Sequence, residues 1–385
     1  MNNVRLKMND WKIPLYKIFT DEEDINLITK IVKRGNNWAL GPEIEEFENQ
    51  IKNYVGADYC LTLNSGTSAL HATNLAYGLK KGDEAIIPSF SFISTANSVL
   101  FVNAKPVFAD IEEENFGLSP EDIESKITDK TKVIIPMDYG GTSCKIFEIK
   151  EIAEKNNLVL IEDAAESLGS SVKGKKVGTV GDSAIFSFCG NKVLTTGEGG
   201  AVVTDSKEVY EKIKLIRSHG RMDSTSYFDN PNPGDYSMVG FNWRMSSITA
   251  SLGISQLQKL DKIIQMRKDN AAYISSRLSK CKEIQVPNVP KDYEHIYQMY
   301  TIKLPNQDIR DKLQDYLLKM KIFCKVYFKP IHEMSFYKHN TNISTGSLPI
   351  TKKISNQILT IPLYPNMTQE EREYLTDTIL EFFEG

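Results

Sequence analysis

A succession of short apolar segments, several of them rich in β-branched residues, constrains the fold of this chain more than any other feature. Six such segments lie between residues 85 and 203, and many are separated by stretches with helical periodicity. They are 85–87, 106–109, 133–135, 158–161, 184–188 and 201–203. The segments show little apolar–polar alternation, which is typical of strands buried on both faces of a sheet. Strands separated by helices in this way predict an α/β fold with a mostly parallel sheet covered by helices on both sides.

Helix start and stop signals agree with this interpretation. Residues 43–56 carry apolar side chains at helical spacing between Pro42 and Gly56. Ser119 and Pro120 have the form of an N-cap followed by a proline at the first helical position. Residues 145–156 predict a further helix.

The pattern changes after about residue 245. Residues 246–280 predict one long helix, and the strand-like segments 299–304 and 322–327 follow it. A capped helix over 368–383 closes the chain. We therefore predict a large domain over 1–255, which includes the N-terminal segment, and a smaller C-terminal α+β domain over 256–385.

Charge and composition exclude several classes of protein. The 385 residues carry a formal net charge of −4, which gives no electrostatic argument for binding nucleic acid or an anionic membrane. No apolar run of about 18 residues predicts a membrane span, and the N-terminus has no signal-peptide pattern. The five cysteines form no CxxC pair and the five histidines no HExxH, so we expect free thiols, no metal site and a cytoplasmic location.

Two segments at predicted strand ends could bind charged groups. Residues 64–71 (NSGTSALH) form a small, hydroxyl-rich turn that opens a helix, where free N–H groups suit a phosphate. Asp163 lies two positions after the apolar segment 158–161, at the predicted end of a strand. A carboxylate at this position can bind a cation such as a protonated ring nitrogen. Taken alone, each segment is better explained as an ordinary helix N-cap.

Three further candidates lie elsewhere. Lys192 follows an apolar strand and precedes a glycine-rich loop, and a partly desolvated lysine can attack a carbonyl. Phe92 follows the strand that ends at residue 87 and could stack on a flat ring. Asn242 and Arg244 stand just before a helix and could hold a phosphate or a carboxylate. Singly, a solvated lysine, a core phenylalanine and a capping loop account for them.

The joint pattern is more specific than its parts. A phosphate-type turn, an aromatic residue and a strand-ending carboxylate are followed by a lysine 29 positions after the aspartate, in a chain of α/β type. Pyridoxal 5′-phosphate (PLP) has four groups to be held, namely a phosphate, a flat ring, a ring nitrogen and an aldehyde. Each has a candidate partner in this order of residues.

With these features the sequence resembles the sugar aminotransferases of the DegT/DnrJ/EryC1/StrS family, which are fold-type I PLP enzymes. The resemblance runs over nearly the whole chain and rests on SGTSALH, PSFSFISTAN, IEDAAESLGS, FSFCGNKVLTTGEGGAVVTD, GFNWRMSSITASLG and the late KPIH. The G-N-K and A-A-E-S forms are most similar to the perosamine synthase-like branch. The resemblance implies a large domain with a mostly parallel seven-stranded sheet.

The resemblance also implies residue roles. Lys192 would bind the cofactor covalently, Asp163 would pair with the ring nitrogen, and Phe92 would stack on the ring. The residues expected to hold the phosphate are Gly66, Thr67, Ser68, Ser187 and, across a dimer interface, Asn242. Glu166 would lie near the ring, and Arg244 and His332 are expected to contact substrate.

The implied activity is transfer of an amino group from L-glutamate to a nucleotide-linked 4-keto-6-deoxyhexose, with the cofactor alternating between PLP and its amino form (PMP). A homodimer with shared active sites is implied, and the product would be an amino sugar for a surface glycan such as O-antigen. Amination at C3, another keto substrate such as a keto-cyclitol, a PLP-dependent sugar dehydratase and a non-catalytic PLP-binding sensor are the alternatives. The nucleotide is left open, and sugar selection is expected from loops 219–238 and 320–348.

Overall fold

The computed structural model describes residues 10–222, 234–339 and 346–384, so parts of both expected sugar-selecting loops lie outside the described residues. The helices are α1 Glu22–Arg34, α2 Pro42–Val55, α3 Gly66–Ala76, α4 Ile93–Phe101, α5 Pro120–Lys126, α6 Ile146–Lys155, α7 Lys207–Ile216, α8 Ser247–Gln258, α9 Leu260–Leu278, α10 Gln307–Lys319, α11 Ser335–Lys338, α12 Pro349–Gln357 and α13 Gln369–Glu384. The strands are β1 Tyr59–Leu63, β2 Glu84–Pro88, β3 Lys105–Ala109, β4 Thr131–Ile134, β5 Val159–Asp163, β6 Ser171–Val172, β7 Lys175–Lys176, β8 Ser183–Ser187, β9 Gly200–Thr204, β10 Tyr293–Glu294, β11 Tyr300–Lys303 and β12 Ile358–Ile361.

A seven-stranded sheet forms the centre of the molecule, in the order β1-β9-β8-β5-β4-β2-β3. Only β9 runs against the others, since it pairs antiparallel with both β1 and β8. The predicted α/β fold with a mostly parallel sheet is therefore confirmed. The six apolar segments of the sequence form β2, β3, β4, β5, β8 and β9. The seventh strand, β1, is not among the segments predicted from the residues, although the resemblance implies a sheet of seven strands.

Helices cover both faces of this sheet. Ile185 of β8 packs in a core formed with residues of α3, α4 and α7. Its neighbours Ala184 and Phe186 face the opposite side and pack with residues of α2 and α8. Successive side chains of a strand point to opposite faces, and here both faces are apolar, which explains why the strand segments lack alternation.

The chain differs from the predictions in two places after residue 245. The prediction of one continuous helix over 246–280 is wrong, because α8 ends before Lys259 and α9 begins after it. The segment 322–327 is not a strand, since only single bridges join Ile322 to Ile13 and Lys325 to Thr360. The segment 299–304 does form β11, which pairs antiparallel with β12.

The C-terminal part has a core of its own, built on β11 and β12 with α9, α10 and α13. Ile13 of the N-terminal segment is fully buried in this core and pairs with Ile322, so the N-terminal segment contributes to it. The domain boundary near residue 255 falls inside α8 and stays a prediction. None of the described helices is both long enough and apolar enough to cross a membrane.

Candidate active site

The carboxyl ends of the parallel strands create the candidate site. Six strands run in one direction, so the residues that follow β1, β2, β4, β5 and β8 emerge at the same edge of the sheet. The β9 strand runs the other way and begins at this edge with Gly200, which pairs with Ser187 at the end of β8. Open α/β sheets place their ligands at this edge. The candidate residues predicted near strand ends thus share one region.

The two carboxylates that end β5 have different surroundings. Glu162 and Asp163 are neighbours in a strand and point to opposite faces. The Glu162 carboxylate accepts hydrogen bonds from the backbone N–H groups of Gly178, Val180 and Gly181, at 2.8, 2.9 and 2.6 Å. These three bonds hold the loop before β8, which gives Glu162 a structural role.

Asp163 faces the other side and is buried, with 4% of its surface exposed. The hydroxyl of Thr95 donates a 2.7 Å hydrogen bond to its Oδ2 atom, and Ser91 Oγ lies 2.7 Å from the Thr95 hydroxyl. Burial raises the pKa of the Asp163 carboxyl to about 6, while the Thr95 hydrogen bond and the Lys192 charge act in the opposite direction. Above pH 6 this carboxylate is a buried anion that is suited to a cationic partner.

Lys192 lies beside a second carboxylate. Its Nζ atom is 3.3 Å from Oε1 of Glu166, and the two side chains are 13% and 4% exposed. The other oxygen of Glu166 accepts a 3.0 Å hydrogen bond from the backbone N–H of Gly140. The structure therefore brings Lys192, Glu166 and Asp163 into one largely buried group.

The start of α3 follows β1 at the same edge of the sheet. Ser65 caps the helix, and its hydroxyl accepts a 3.1 Å hydrogen bond from the N–H of Ser68, whose own hydroxyl donates to Asn64 at 2.7 Å. This arrangement occupies the polar groups of Ser68 in capping. It leaves the N–H groups of Gly66 and Thr67 without a partner inside the helix.

Ser187 closes on this helix start. A Cβ placed on Gly66 would lie 3.0 Å from Cβ and 3.2 Å from Oγ of Ser187, so only glycine fits at Gly66 without displacement. The side chain of Thr67 forms a 2.7 Å hydroxyl–hydroxyl hydrogen bond with Ser94. Two backbone N–H groups and the Ser187 hydroxyl thus lie together at a helix N-terminus, a combination that suits an anion.

Phe92 and His332 lie near the same edge. Phe92 precedes α4 and is 57% exposed, and its ring centroid is 6.4 Å from that of Phe328. Exposure of this kind leaves a flat apolar face open to a ligand. Nδ1 of His332 is hydrogen-bonded to Ser89 Oγ at 2.6 Å, and burial lowers the pKa of this histidine.

Asn242 and Arg244 have no contact with Lys192, Asp163 or Glu166 among the described residues. Asn242 is exposed, and its backbone pairs with Ser218. The guanidinium of Arg244 donates a 3.0 Å hydrogen bond to Ser218 Oγ and lines a separate cavity of about 550 Å³. The backbone between them lies beside the end of β1, since Arg244 bridges to Leu63 and the Trp243 carbonyl accepts a 2.8 Å hydrogen bond from the N–H of Asn64. The predicted roles of Asn242 and Arg244 stay predictions.

Three residues that contribute polar groups to the site are not among the predicted ones. Thr95 could have been identified, because it is a hydroxyl residue in the first turn of the helix that follows β2. Gly140 follows β4, next to β5 in the sheet, and its glycine pair was a weaker signal. Gln298 forms hydrogen bonds to the loop that carries Lys192, and no local pattern points to it. No group of three or more potential metal ligands occurs in the part of the chain that the structure describes.

Comparison with known proteins gives consistent matches. The model of the DegT/DnrJ/EryC1/StrS aminotransferase family matches residues 19–380. The GDP-perosamine synthase of Escherichia coli O157:H7 is 34% identical over 371 residues, 96% of this chain and 98% of that protein. The UDP-4-amino-4,6-dideoxy-N-acetyl-beta-L-altrosamine transaminase of Campylobacter jejuni is 33% identical over 371 residues, 94% and 96% of the two chains. The structure of Spr1654 from Streptococcus pneumoniae in its PLP form has a TM-score of 0.90, 26% identity, and coverage of 97% of this chain and 98% of that one.

Proposed function

The chain belongs to the DegT/DnrJ/EryC1/StrS aminotransferase family, and from this premise we propose that it transfers an amino group from L-glutamate to carbon 4 of a nucleotide-linked 4-keto-6-deoxyhexose. Aminotransferases of this family depend on PLP, as the sequence predicted. The observation that carries the proposal is the convergence of a buried lysine, a buried carboxylate and a helix N-terminus at one edge of the sheet.

The residues at this edge fit the cofactor. The space above Gly66 is closed to a side chain by Ser187, and it is bordered by N–H groups that favour a phosphate. Asp163 is a buried anion above pH 6 with a hydroxyl as its hydrogen-bonding side-chain partner, so it could also accept a hydrogen bond from a protonated ring nitrogen. Phe92, which lies between Gly66 and Asp163 in the sequence, has an exposed ring on which a flat cofactor ring could stack.

Each residue then has a defined task. When bound, PLP supplies an aldehyde carbon that accepts an amino group and a ring that takes up electrons. The N–H groups of Gly66 and Thr67 hold the phosphate, and Asp163 holds a proton on the ring nitrogen. Lys192 Nζ takes a proton from the α-carbon of glutamate and later delivers one to carbon 4 of the sugar. Glu166 orients that nitrogen by its charged hydrogen bond.

The finer assignment of the sugar rests on two relatives. The names of the Escherichia coli and Campylobacter jejuni proteins both specify amino sugars, and the second specifies an amino group at position 4. The two names differ in the nucleotide, which is GDP in one and UDP in the other. The relatives therefore support amination at carbon 4, and they do not select a nucleotide. A surface glycan such as O-antigen and a cytoplasmic location remain predictions from the sequence.

We also propose that two copies of the chain form the functional unit. The side chain of Asn242 is exposed in the single chain, so it is available to reach the phosphate site of a second copy. Light scattering that gives a monomer, together with full activity at nanomolar protein concentration, would contradict this arrangement.

The absorbance spectrum of the PLP-loaded protein tests the proposed function. L-glutamate should shift the visible band of the wild type to the near ultraviolet, and a 4-keto sugar nucleotide should restore it. Lys192→Ala should lose both responses, whereas Lys145→Ala, in a lysine–glutamate pair with Glu112 elsewhere in the fold, should keep them. A wild type that binds PLP but does not respond to glutamate would favour a dehydratase or a non-catalytic binder instead.

A further inference from the structure

The side chain of Gln298 spans the backbone on both sides of Lys192. Its Oε1 atom accepts a hydrogen bond from the N–H of Val193 at 2.8 Å, and its Nε2 atom donates to the carbonyl of Asn191 at 2.8 Å. Gln298 lies 106 positions from Lys192 and is 5% exposed. One buried amide therefore fixes the peptide groups immediately before and after the lysine.

Gln298 is itself held by a buried arginine. Arg267 of α9, 4% exposed, donates from Nη2 to the backbone carbonyl of Gln298 at 2.9 Å and from Nε to that of Tyr297 at 2.7 Å. A guanidinium that bonds two consecutive carbonyls restricts both the position and the direction of the backbone between them. The amide of Gln298 thus projects from a rigid support rather than from a free loop.

The same segment also supports the residue that pairs with Lys192. Ile296 and Met299 donate from their N–H groups to the carbonyls of Gly141 and Gly140, at 2.8 and 3.0 Å. A Cβ on Gly141 would lie 2.7 Å from the backbone nitrogen of Gln298, so this close approach requires glycine there.

Gly140 in turn donates its N–H to the carboxylate of Glu166. The segment 296–299 therefore connects to Lys192 by way of Gln298 and to Glu166 by way of Gly140. It fixes the two members of the lysine–glutamate pair relative to each other, although neither member belongs to it.

We propose that Gln298 is a positioning residue that sets where the Nζ atom of Lys192 stands. This inference rests on the proposed function, because it assigns a role through Lys192. Nζ must reach both a cofactor atom and a proton on the substrate carbon, so a small displacement lowers the rate of proton movement. Binding of the amino donor, which does not involve Gln298, should be little affected.

Gln298→Met tests the proposal because methionine has a similar length and forms neither hydrogen bond. The matched control is Gln357→Met, which removes an amide whose hydrogen bond goes to the carbonyl of Pro305 instead of the Lys192 loop. Each PLP-loaded protein is mixed with L-glutamate, and the rate constant and apparent Kd of the absorbance change are measured. We expect the rate constant of Gln298→Met to fall by about 10- to 100-fold with Kd changed by less than about threefold, and Gln357→Met to match the wild type.

A second readout separates this proposal from the proposed function. The rate at which PLP becomes attached to Lys192 is measured by borohydride trapping and peptide mapping, which needs no amino donor. If glutamate has no effect on the wild type, the aminotransferase proposal fails, yet slower attachment in Gln298→Met would still support the positioning role. If the wild type never attaches PLP at Lys192, both proposals fall.

Equal rates in Gln298→Met and the wild type, for attachment and for the glutamate reaction, would overturn the positioning role. So would equal losses in Gln298→Met and Gln357→Met, because that result would indicate a general effect of replacing a glutamine amide by methionine. Should Gln298→Met not fold, Gln298→Asn replaces it, since an amide shortened by about 1.5 Å cannot reach both Asn191 and Val193. The same expectations and the same contradicting results then apply to Gln298→Asn.

Discussion

The ammonium nitrogen of Lys192 lies 3.3 Å from a carboxylate oxygen of Glu166 in a part of the site that is almost closed to solvent. The second carboxylate oxygen is held by the N–H of Gly140, so the acceptor has a fixed direction. Removing either charge leaves the other one buried without compensation, which is more costly than never having buried the pair.

This relationship predicts a large coupling energy between the two residues. Lys192→Met and Glu166→Leu should each destabilise the cofactor-free protein by about 3 kcal/mol, and the double variant by clearly less than the sum. Urea denaturation of the four proteins gives the coupling, which we expect to be about 1–3 kcal/mol.

The pair Lys145–Glu112 is the control for this cycle. Its Nζ–Oε2 distance is 2.6 Å, but the lysine side chain is 36% exposed, so its coupling should be below about 1 kcal/mol. Additive effects at Lys192 and Glu166, or equal coupling in the two pairs, would show that burial does not strengthen the site pair.

The raised pKa of Asp163 predicts a pH-dependent stability. Burial raises the pKa of this carboxyl from 3.8 to about 6, so between these values the folded state binds more protons than the unfolded state. The stabilising contribution of the protonated form is complete below the lower value and is lost as the pH rises through 6. From pH 5 to 7.5 the cofactor-free wild type should therefore lose about 1 kcal/mol relative to Asp163→Asn.

Loading with PLP provides the internal control for Asp163. A ring N–H would give the ionised carboxylate a partner, so the loss of stability above pH 6 should be reduced in the loaded wild type and unchanged in Asp163→Asn. Parallel stability curves for wild type and variant at all pH values would mean that Asp163 titrates as an ordinary exposed carboxyl.

Thr95 predicts how the ionisation of Asp163 is tuned. The hydroxyl hydrogen bond to Oδ2 stabilises the charged form and opposes the effect of burial. Thr95→Val preserves shape and removes the donor, so the pKa of Asp163 should rise further above 6, by about one unit. Carbon-13 NMR of the aspartate carboxyl groups measures this rise directly.

Thr95→Ser is the matched variant, because it keeps the hydroxyl and removes only a methyl group. It should leave the Asp163 titration close to that of the wild type, and PLP should bind it more tightly than Thr95→Val at pH 6. An unchanged titration in Thr95→Val would assign the ionisation of Asp163 to burial and charge alone.

Local sequence patterns predicted the sheet and its ligand-binding edge well, for a physical reason. Buried parallel strands must be apolar on both faces, so β5 and β8 are visible as runs in the sequence, and Asp163 and Lys192 are visible as the polar residues that follow them. The partners of those residues were not visible. Thr95 lies 68 positions from Asp163, and Gln298 lies 105 positions from Val193, so only the folded chain brings them together.

The incorrect prediction of one continuous helix over 246–280 has a similar origin. Helical periodicity continues through Lys259, but the chain leaves the helical conformation there, and the Lys259 ammonium pairs with Asp24 of α1 at 3.0 Å. The local pattern was compatible with one long helix and with two shorter ones, and the contact with Asp24 accompanies the arrangement that formed. The hydroxyl of Ser68 takes part in capping, and its predicted contact with the phosphate stays a prediction.

The contact between Gly66 and Ser187 predicts a defect that a second substitution should repair. Gly66→Ala would place Cβ 3.0 Å from Cβ of Ser187, so the helix start or the end of β8 must shift by a few tenths of an ångström. The N–H groups that would hold the phosphate then lose their alignment, and we expect the Kd for PLP to rise by about tenfold, which corresponds to about 1.4 kcal/mol.

Ser187→Gly in the Gly66→Ala background removes the opposing Cβ and should recover part of this affinity, even though it also deletes a hydroxyl. Ser187→Gly alone should weaken PLP binding, so the two effects should be strongly non-additive in fluorescence titrations. If Gly66→Ala binds PLP as the wild type does, or if the double variant is weaker than the sum of the single effects predicts, this helix start does not hold the phosphate.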